Sequence, residues 1–128
     1  MDYGLLKCKK IKILLAEDEL LIAQYLKIEL ELNGYTICNF VASGEEAIEI
    51  TKEEKSDIIL IDIHLSGKMD GIEAARQIVA LKDISIIFMT GYNEVAIYKQ
   101  AQKINPVAYL EKPIEVHDII PIIESLFK

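Results

Sequence analysis

No run of apolar residues in this chain approaches the length of a bilayer span, so a membrane-crossing helix is not expected. Cationic charge is scarce. Fourteen Lys and Arg face 21 Asp and Glu, for a formal net charge of −7. Non-specific nucleic-acid affinity rests on basic patches, so direct nucleic-acid binding is not expected either. There are two cysteines, Cys8 and Cys38, and they form no CxxC pair. They read as reduced thiols of a cytoplasmic protein. The two histidines, His64 and His117, lie too far apart in sequence to suggest a zinc site. No repeat, low-complexity tract or Pro/Gly-rich linker divides the chain. Its first residues carry Lys7, Lys9 and Lys10, but the apolar run that follows is short and strand-like, unlike a secretory signal.

What is present fits one domain. The chain has 128 residues, 52% of them hydrophobic and 27% charged, enough for a core and too little charge for disorder. Short β-branched runs alternate with helical stretches. The strand-like runs are 11–16, 35–41, 57–61, 85–89 and 107–110. The third and fourth are continuously apolar, as for strands covered on both faces. Helices are expected at about 19–33, 45–54, 71–81, 94–103 and 115–127. Asn33-Gly34 has the form of a left-handed helix stop. Ser43 stands three residues before Glu46, a capping-box spacing. Asp70 and Asn93 are candidate N-caps. Pro121 falls inside the last stretch, so that helix is expected either to kink or to begin late, near Ile119. The first helix carries two apolar stripes. Ile22, Leu26 and Leu30 make one; Leu21, Tyr25, Ile28 and Leu32 make the other, which would be partly exposed.

Five βα units of this size imply a parallel sheet with helices on both faces. Ligands of such sheets bind at the carboxyl ends of the strands. At those ends stand Glu17 and Asp18, Asp62, Thr90 and Lys112. Three carboxylates gathered there would repel one another unless a cation intervened. Their hard oxygens suit Mg²⁺ (or Mn²⁺) beside a phosphate. Lys112 would add a point charge, Thr90 a hydroxyl donor, and Gly91 room. These are the parts for phosphoryl transfer onto a carboxylate, with Asp62 as nucleophile.

The chain resembles the receiver domain of two-component response regulators, of the chemotaxis-regulator kind. The resemblance rests on Ile13 to Glu19, Ile59 to Asp62, Met69-Asp70-Gly71, Met89-Thr90-Gly91 and Tyr109 to Pro113, and it covers about residues 10–127. It implies a flavodoxin-like three-layer α/β/α sandwich, five parallel strands in the order 2-1-3-4-5. It implies that Asp62 takes a phosphoryl group from the phosphohistidine of a histidine kinase or histidine phosphotransferase. A magnesium ion would be held by Glu17, Asp18, Asp62 and the backbone carbonyl of His64. Thr90 and Tyr109 would form a switch pair that alters the surface around Tyr98, Gln102, Tyr109, Glu111 and Val116 for a downstream effector or an attached output domain. Such a domain is no conventional enzyme, yet it would catalyse its own aspartyl phosphorylation and dephosphorylation. The whole chain, 1–128, is expected to be one such domain, standing alone or joined to a larger protein.

Some residues depart from the family pattern. The stretch Ile63 to Gly71 is one residue longer than the common form and lacks its proline, so a turn is expected at Ser66-Gly67. His64, two residues past Asp62, is either exposed with only its carbonyl at work or has a ring that screens or assists water attack on an acyl phosphate; Tyr92, two past Thr90, could also shield the site. His117 reads as a surface or capping residue. The stripe of Leu21, Ile28 and Leu32 is a candidate docking surface for a kinase or phosphotransferase, with burial in a dimer or crystal contact, or merely scattered surface leucines, as the alternatives. Other classes fit less well. A receiver-like module that ignores phosphate would have no need of the acidic cluster. A haloacid-dehalogenase-like phosphatase has a second aspartate where His64 stands. Ser66-Gly67-Lys68 lacks the glycine spacing of a phosphate-binding loop.

Overall fold

The computed structural model describes residues 11–92 and 94–127. Cys8 and the expected cap Asn93 lie outside the described residues. Five strands alternate with five helices: β1 Lys12–Ala16, α1 Leu20–Leu32, β2 Thr36–Val41, α2 Gly44–Glu53, β3 Ile58–Asp62, α3 Gly71–Leu81, β4 Ser85–Thr90, α4 Val95–Gln102, β5 Ala108–Glu111 and α5 Val116–Leu126. Each element falls within a residue or two of its expected bounds. The strands form one parallel sheet in the order β2-β1-β3-β4-β5. This is the flavodoxin-like α/β/α sandwich.

The apolar patterns explain the layers. Every residue of β3 is buried, as are the last five of β4. One face of the sheet packs with Ala23, Leu26 and Leu30 of α1 and Ile119 and Ile123 of α5. The other packs with Ala47 and Ile48 of α2, Ile72, Ala75 and Ile78 of α3, and Ala101 of α4. Each large aliphatic side chain buried this way contributes roughly 1.5–3 kcal/mol.

The helix ends are set by local chemistry. Gly34, at φ 92°, ends α1 in a conformation that a side chain would strain. The Ser43 hydroxyl accepts the Glu46 N–H at 3.1 Å, and the Glu46 carboxylate takes the Ala42 N–H at 3.1 Å. Asp70 accepts the Glu73 N–H at 2.9 Å. Helix α5 does not begin late: it starts at Val116, where the Glu115 N–H reaches Asp118 at 3.1 Å, and Pro121 is carried within it. Pro121 and His117, the residue whose carbonyl loses its intrahelical partner, are both exposed, so water can satisfy that carbonyl.

Candidate phosphoryl-acceptor site

The sheet delivers Asp62 first. It is the last residue of β3, the strand between β1 and β4, and pairs with Met89. The Ile63 N–H then bonds the Met89 carbonyl at 2.9 Å, which keeps the strand end straight through the site. The chain returns to the same point at Gly71, whose N–H bonds the Ile63 carbonyl at 2.7 Å. A Cβ on Gly71 would lie 2.1 Å from the Asp62 carbonyl oxygen, so only glycine fits. Glu17 and Asp18 follow β1, and Lys112 follows β5. The Lys112 N–H bonds the Thr90 carbonyl at 2.7 Å, fixing the base of its side chain.

These residues meet. Lys112 Nζ lies 2.9 Å from Asp62 Oδ2, 2.9 Å from Glu17 Oε1 and 3.4 Å from Glu19 Oε1. Asp62 Oδ1 accepts the His64 N–H at 2.9 Å. Glu17 Oε2 accepts the Glu19 N–H at 3.1 Å. Glu17 and Asp62 are buried and Asp18 is exposed, and one oxygen from each lies within 4.8 Å of the other two. Glu17 Oε1 is buried, and among the described residues its close polar neighbour is Lys112 Nζ, at 2.9 Å. An oxygen in that position is suited to a cation.

The electrostatics follow from this crowding. Burial pushes the Glu17 carboxyl up to about 7, with the Lys112 contact pulling it down and the Asp62 charge pushing it further up. Burial works against the Lys112 ammonium, but its contacts with Glu17 and Asp62 outweigh that and raise its pKa. Lys112 therefore stays cationic, the one ammonium in contact with Glu17 and Asp62 among the described residues. The donor set is all oxygen, and Mg²⁺ or Mn²⁺ fits it.

A cleft of about 440 Å³ opens over Asp62, lined also by Asp18, Glu19, His64, Gly91, Tyr92 and Lys112. At Gly91 an added Cβ would meet only Lys112 Cδ, at 4.0 Å, so this edge is open. The His64 and Tyr92 rings meet edge to face, 5.0 Å apart and 88° inclined. Thr90 is fully buried. Its hydroxyl donates to the Tyr92 carbonyl at 2.9 Å and accepts the Tyr92 N–H at 3.0 Å. Among the described residues it makes no hydrogen bond to Asp62 or Lys112. The Tyr109 ring meets Tyr98 at 5.0 Å, and its buried hydroxyl lies near the Thr90 hydroxyl, with no well-formed hydrogen bond among the described residues. Burial raises the Tyr109 pKa, with the nearby Thr90 hydroxyl opposing. His117 is exposed, in keeping with a surface role.

Several contacts were not foreseen from the sequence. Ser66 donates its hydroxyl to Asp18 Oδ2 at 2.7 Å. The Glu45 carboxylate accepts the Lys68 N–H at 3.0 Å. The Tyr25 hydroxyl accepts the Val116 N–H at 3.2 Å, joining α1 to the start of α5. All three link residues far apart in the chain, and no spacing rule announces them. Gly67, at φ 100°, supplies the turn expected at Ser66-Gly67.

The structure is thus a parallel α/β sandwich with acidic residues and a lysine gathered at one carboxyl edge of the sheet. The family model of the response regulator receiver domain matches residues 13–124, and the chain belongs to that family. It is 34% identical over 113 residues to the transcriptional regulatory protein PdtaR of Mycobacterium tuberculosis, covering 88% of this chain and 55% of that protein. The chain thus spans about half the length of that relative. The signal receiver domain of a modulated diguanylate cyclase from Desulfovibrio desulfuricans superposes with a TM-score of 0.87 at 35% identity, over 91% of this chain and 93% of the other. A response regulator from Burkholderia pseudomallei, solved with a phosphorylated aspartic acid, a calcium ion and citrate, superposes with a TM-score of 0.80 at 29% identity, over 88% of this chain and 66% of the other.

Proposed function

We propose that this domain accepts a phosphoryl group on Asp62 from the phosphohistidine of a histidine kinase or histidine phosphotransferase. The carrying observation is the buried Asp62 carboxylate held 2.9 Å from Lys112, with Glu17 and Asp18 oxygens alongside. In the transfer an Asp62 oxygen attacks phosphorus, an O–P bond forms, the donor's N–P bond breaks, and the imidazole leaves and regains its proton. Glu17, Asp18, Asp62 and the His64 backbone carbonyl would hold Mg²⁺ (or Mn²⁺), which supplies charge neutralisation at the phosphoryl oxygens. Lys112 contributes to the same end and orients Asp62. The Thr90 hydroxyl donates to a phosphoryl oxygen once it turns from the Tyr92 carbonyl, and Tyr109 responds as its switch partner. The phosphorylated aspartate of the Burkholderia regulator supports the reading. Incubation with acetyl phosphate, with and without Mg²⁺, tests it by intact mass.

The paired rings of His64 and Tyr92 border the cleft and shield the acyl phosphate from water. His64→Ala and Tyr92→Ala should each shorten the lifetime of phosphorylated Asp62 severalfold, with little further loss in the double variant. Decay measured by loss of the mass adduct decides this; unchanged rates in both single variants would remove the role.

The exposed stripe of Leu21, Ile28 and Leu32 serves as the docking surface for the donor. These side chains are 81%, 56% and 76% exposed. An apolar groove of about 210 Å³ lined by Leu21, Ile22, Tyr25, Pro113 and Ile114 leads from the stripe to Lys112. Leu21→Lys with Ile28→Lys should impair phosphotransfer from the protein donor and spare acetyl phosphate. Equal losses with both donors would mean that the stripe is structural.

The response passes to a downstream effector or an attached output domain, and residues 1–128 act as one receiver, core about 10–127. A cytoplasmic location accords with the two cysteines read as reduced thiols. Among the described residues, no helix is long and apolar enough to cross a membrane.

A further inference from the structure

The lengthened loop between β3 and α3 is the part of this chain that the family pattern leaves unexplained. It is tied down at several points. Ser66 forms a parallel bridge with Ser43, the N-cap of α2. The Glu45 carboxylate, in the first turn of that helix, accepts the Lys68 N–H at 3.0 Å. Gly67 passes so close to Glu45 that a Cβ there would lie 2.8 Å from Oε1. The loop is thus built onto the start of α2, and its backbone presents one side chain back across the carboxyl edge. That side chain is Ser66, whose hydroxyl donates to Asp18 Oδ2 at 2.7 Å. Asp18 is the exposed member of the acidic cluster, and this is its one hydrogen bond among those described.

We infer that Ser66 is a positioning residue that holds Asp18 as a one-oxygen ligand, favouring Mg²⁺ over larger divalent cations. The inference rests on the reading of Glu17, Asp18 and Asp62 as the cation site. A carboxylate has two oxygens to offer. With Oδ2 engaged by Ser66, Oδ1 is the Asp18 oxygen with no hydrogen bond among those described, and the Ser66 contact disfavours chelation through both oxygens at once. Mg²⁺ requires a near-octahedral shell and takes carboxylates through single oxygens, whereas Ca²⁺ accepts two-oxygen chelation and irregular shells. An outer partner that fixes ligand orientation typically changes affinity 10- to 100-fold, roughly. Ser66 sits at the surface, so the low end of that range applies.

Isothermal titration of the metal-free protein with Mg²⁺ and separately with Ca²⁺ tests this. The proteins are the native chain, Ser66→Ala and Ser66→Thr. The expected result is a roughly tenfold weaker Mg²⁺ affinity in Ser66→Ala, with Ca²⁺ affinity unchanged or higher. Ser66→Thr, which keeps the hydroxyl, should restore the native preference. Thermal melting without metal should be the same for all three. Unchanged Mg²⁺ affinity in Ser66→Ala would overturn the role of Ser66 and leave the cation site standing. Equal weakening of both ions would also overturn it, since that is what a merely loosened loop gives. Failure of the native chain to bind either ion would overturn this inference together with the cation-site reading.

Discussion

Asp62→Asn is expected to abolish phosphorylation by acetyl phosphate altogether, while the protein stays folded. The native chain should gain one Mg²⁺-dependent phosphoryl group, stable in acid and labile in base. The argument is chemical before it is structural. An acyl phosphate needs a carboxylate nucleophile, and an amide oxygen or nitrogen is too weak to replace it at neutral pH. The other carboxylates are poorly placed to substitute. Glu17 is buried, with one oxygen on the Glu19 N–H and the other against Lys112. Asp18 has one oxygen on Ser66. Glu19 and Asp62 both contact Lys112 and line the cleft, but Glu19 is exposed and 3.4 Å away, whereas Asp62 is buried and 2.9 Å away. The asparagine is near in size and can still accept from the His64 N–H, which now meets Asp62 Oδ1. Removing one charge from a crowded acidic cluster also relieves repulsion, so melting should not fall. Intact mass before and after treatment, with circular dichroism as the check on folding, decides the matter. An adduct of equal yield in Asp62→Asn would sink the assignment. A folded native chain that takes no phosphoryl group under any condition would favour a module that works without phosphate.

Gly71→Ala should produce the largest loss of stability available from a single added methyl. The Cβ would stand 2.1 Å from the Asp62 carbonyl oxygen and 2.9 Å from Ile63 Cα, both backbone atoms that no rotamer change can move aside. Either the close of the loop or the end of β3 must shift. Overpacking of this kind costs about 3 kcal/mol, at the upper end of its usual range. For a domain of this size that lowers Tm by roughly 10 °C. Phosphorylation should fall with it, because the atoms displaced are those that position Asp62. Gly91→Ala is the matched control. Its Cβ meets nothing nearer than Lys112 Cδ at 4.0 Å, so Tm should stay within about a degree or two of the native value. Thermal melts of the two variants side by side measure the difference. Equal stability in both would refute the close-approach argument.

The contrast between these two glycines shows where sequence reasoning stops. Both lie in short motifs that point to the same edge of the sheet, and nothing in their spacing separates them. Residue order alone placed Asp62, Thr90 and Lys112 at successive strand ends, because each follows a short apolar run and parallel strands must all end on the same side. The strand order was implied by the family resemblance and not by the apolar runs, whereas helical period foretold the exposed second stripe of α1. Leu26 and Leu30 point inward and Leu21 and Leu32 outward by helical period alone.

Other features required the folded chain. Of the two outcomes expected from Pro121, a kink or a late start of α5, the late start did not occur: Pro121 lies where its helix neighbour's carbonyl can reach water, and a proline pattern does not reveal which side faces out. Thr90 arrives at the edge as expected, yet its hydroxyl is turned to the Tyr92 backbone, a choice made between competing hydrogen bonds. The three carboxylates, Lys112 and the cleft were legible as residue types at strand ends. Which oxygen meets which partner was not. Ser66 and Asp18 are joined across two loops that only the stacking of β2, β1 and β3 brings side by side. Local periodicity and strand-end chemistry are properties of neighbouring residues, so the sequence carries them openly. Long-range contacts depend on the summed geometry of every intervening turn, and only the assembled sheet determines them.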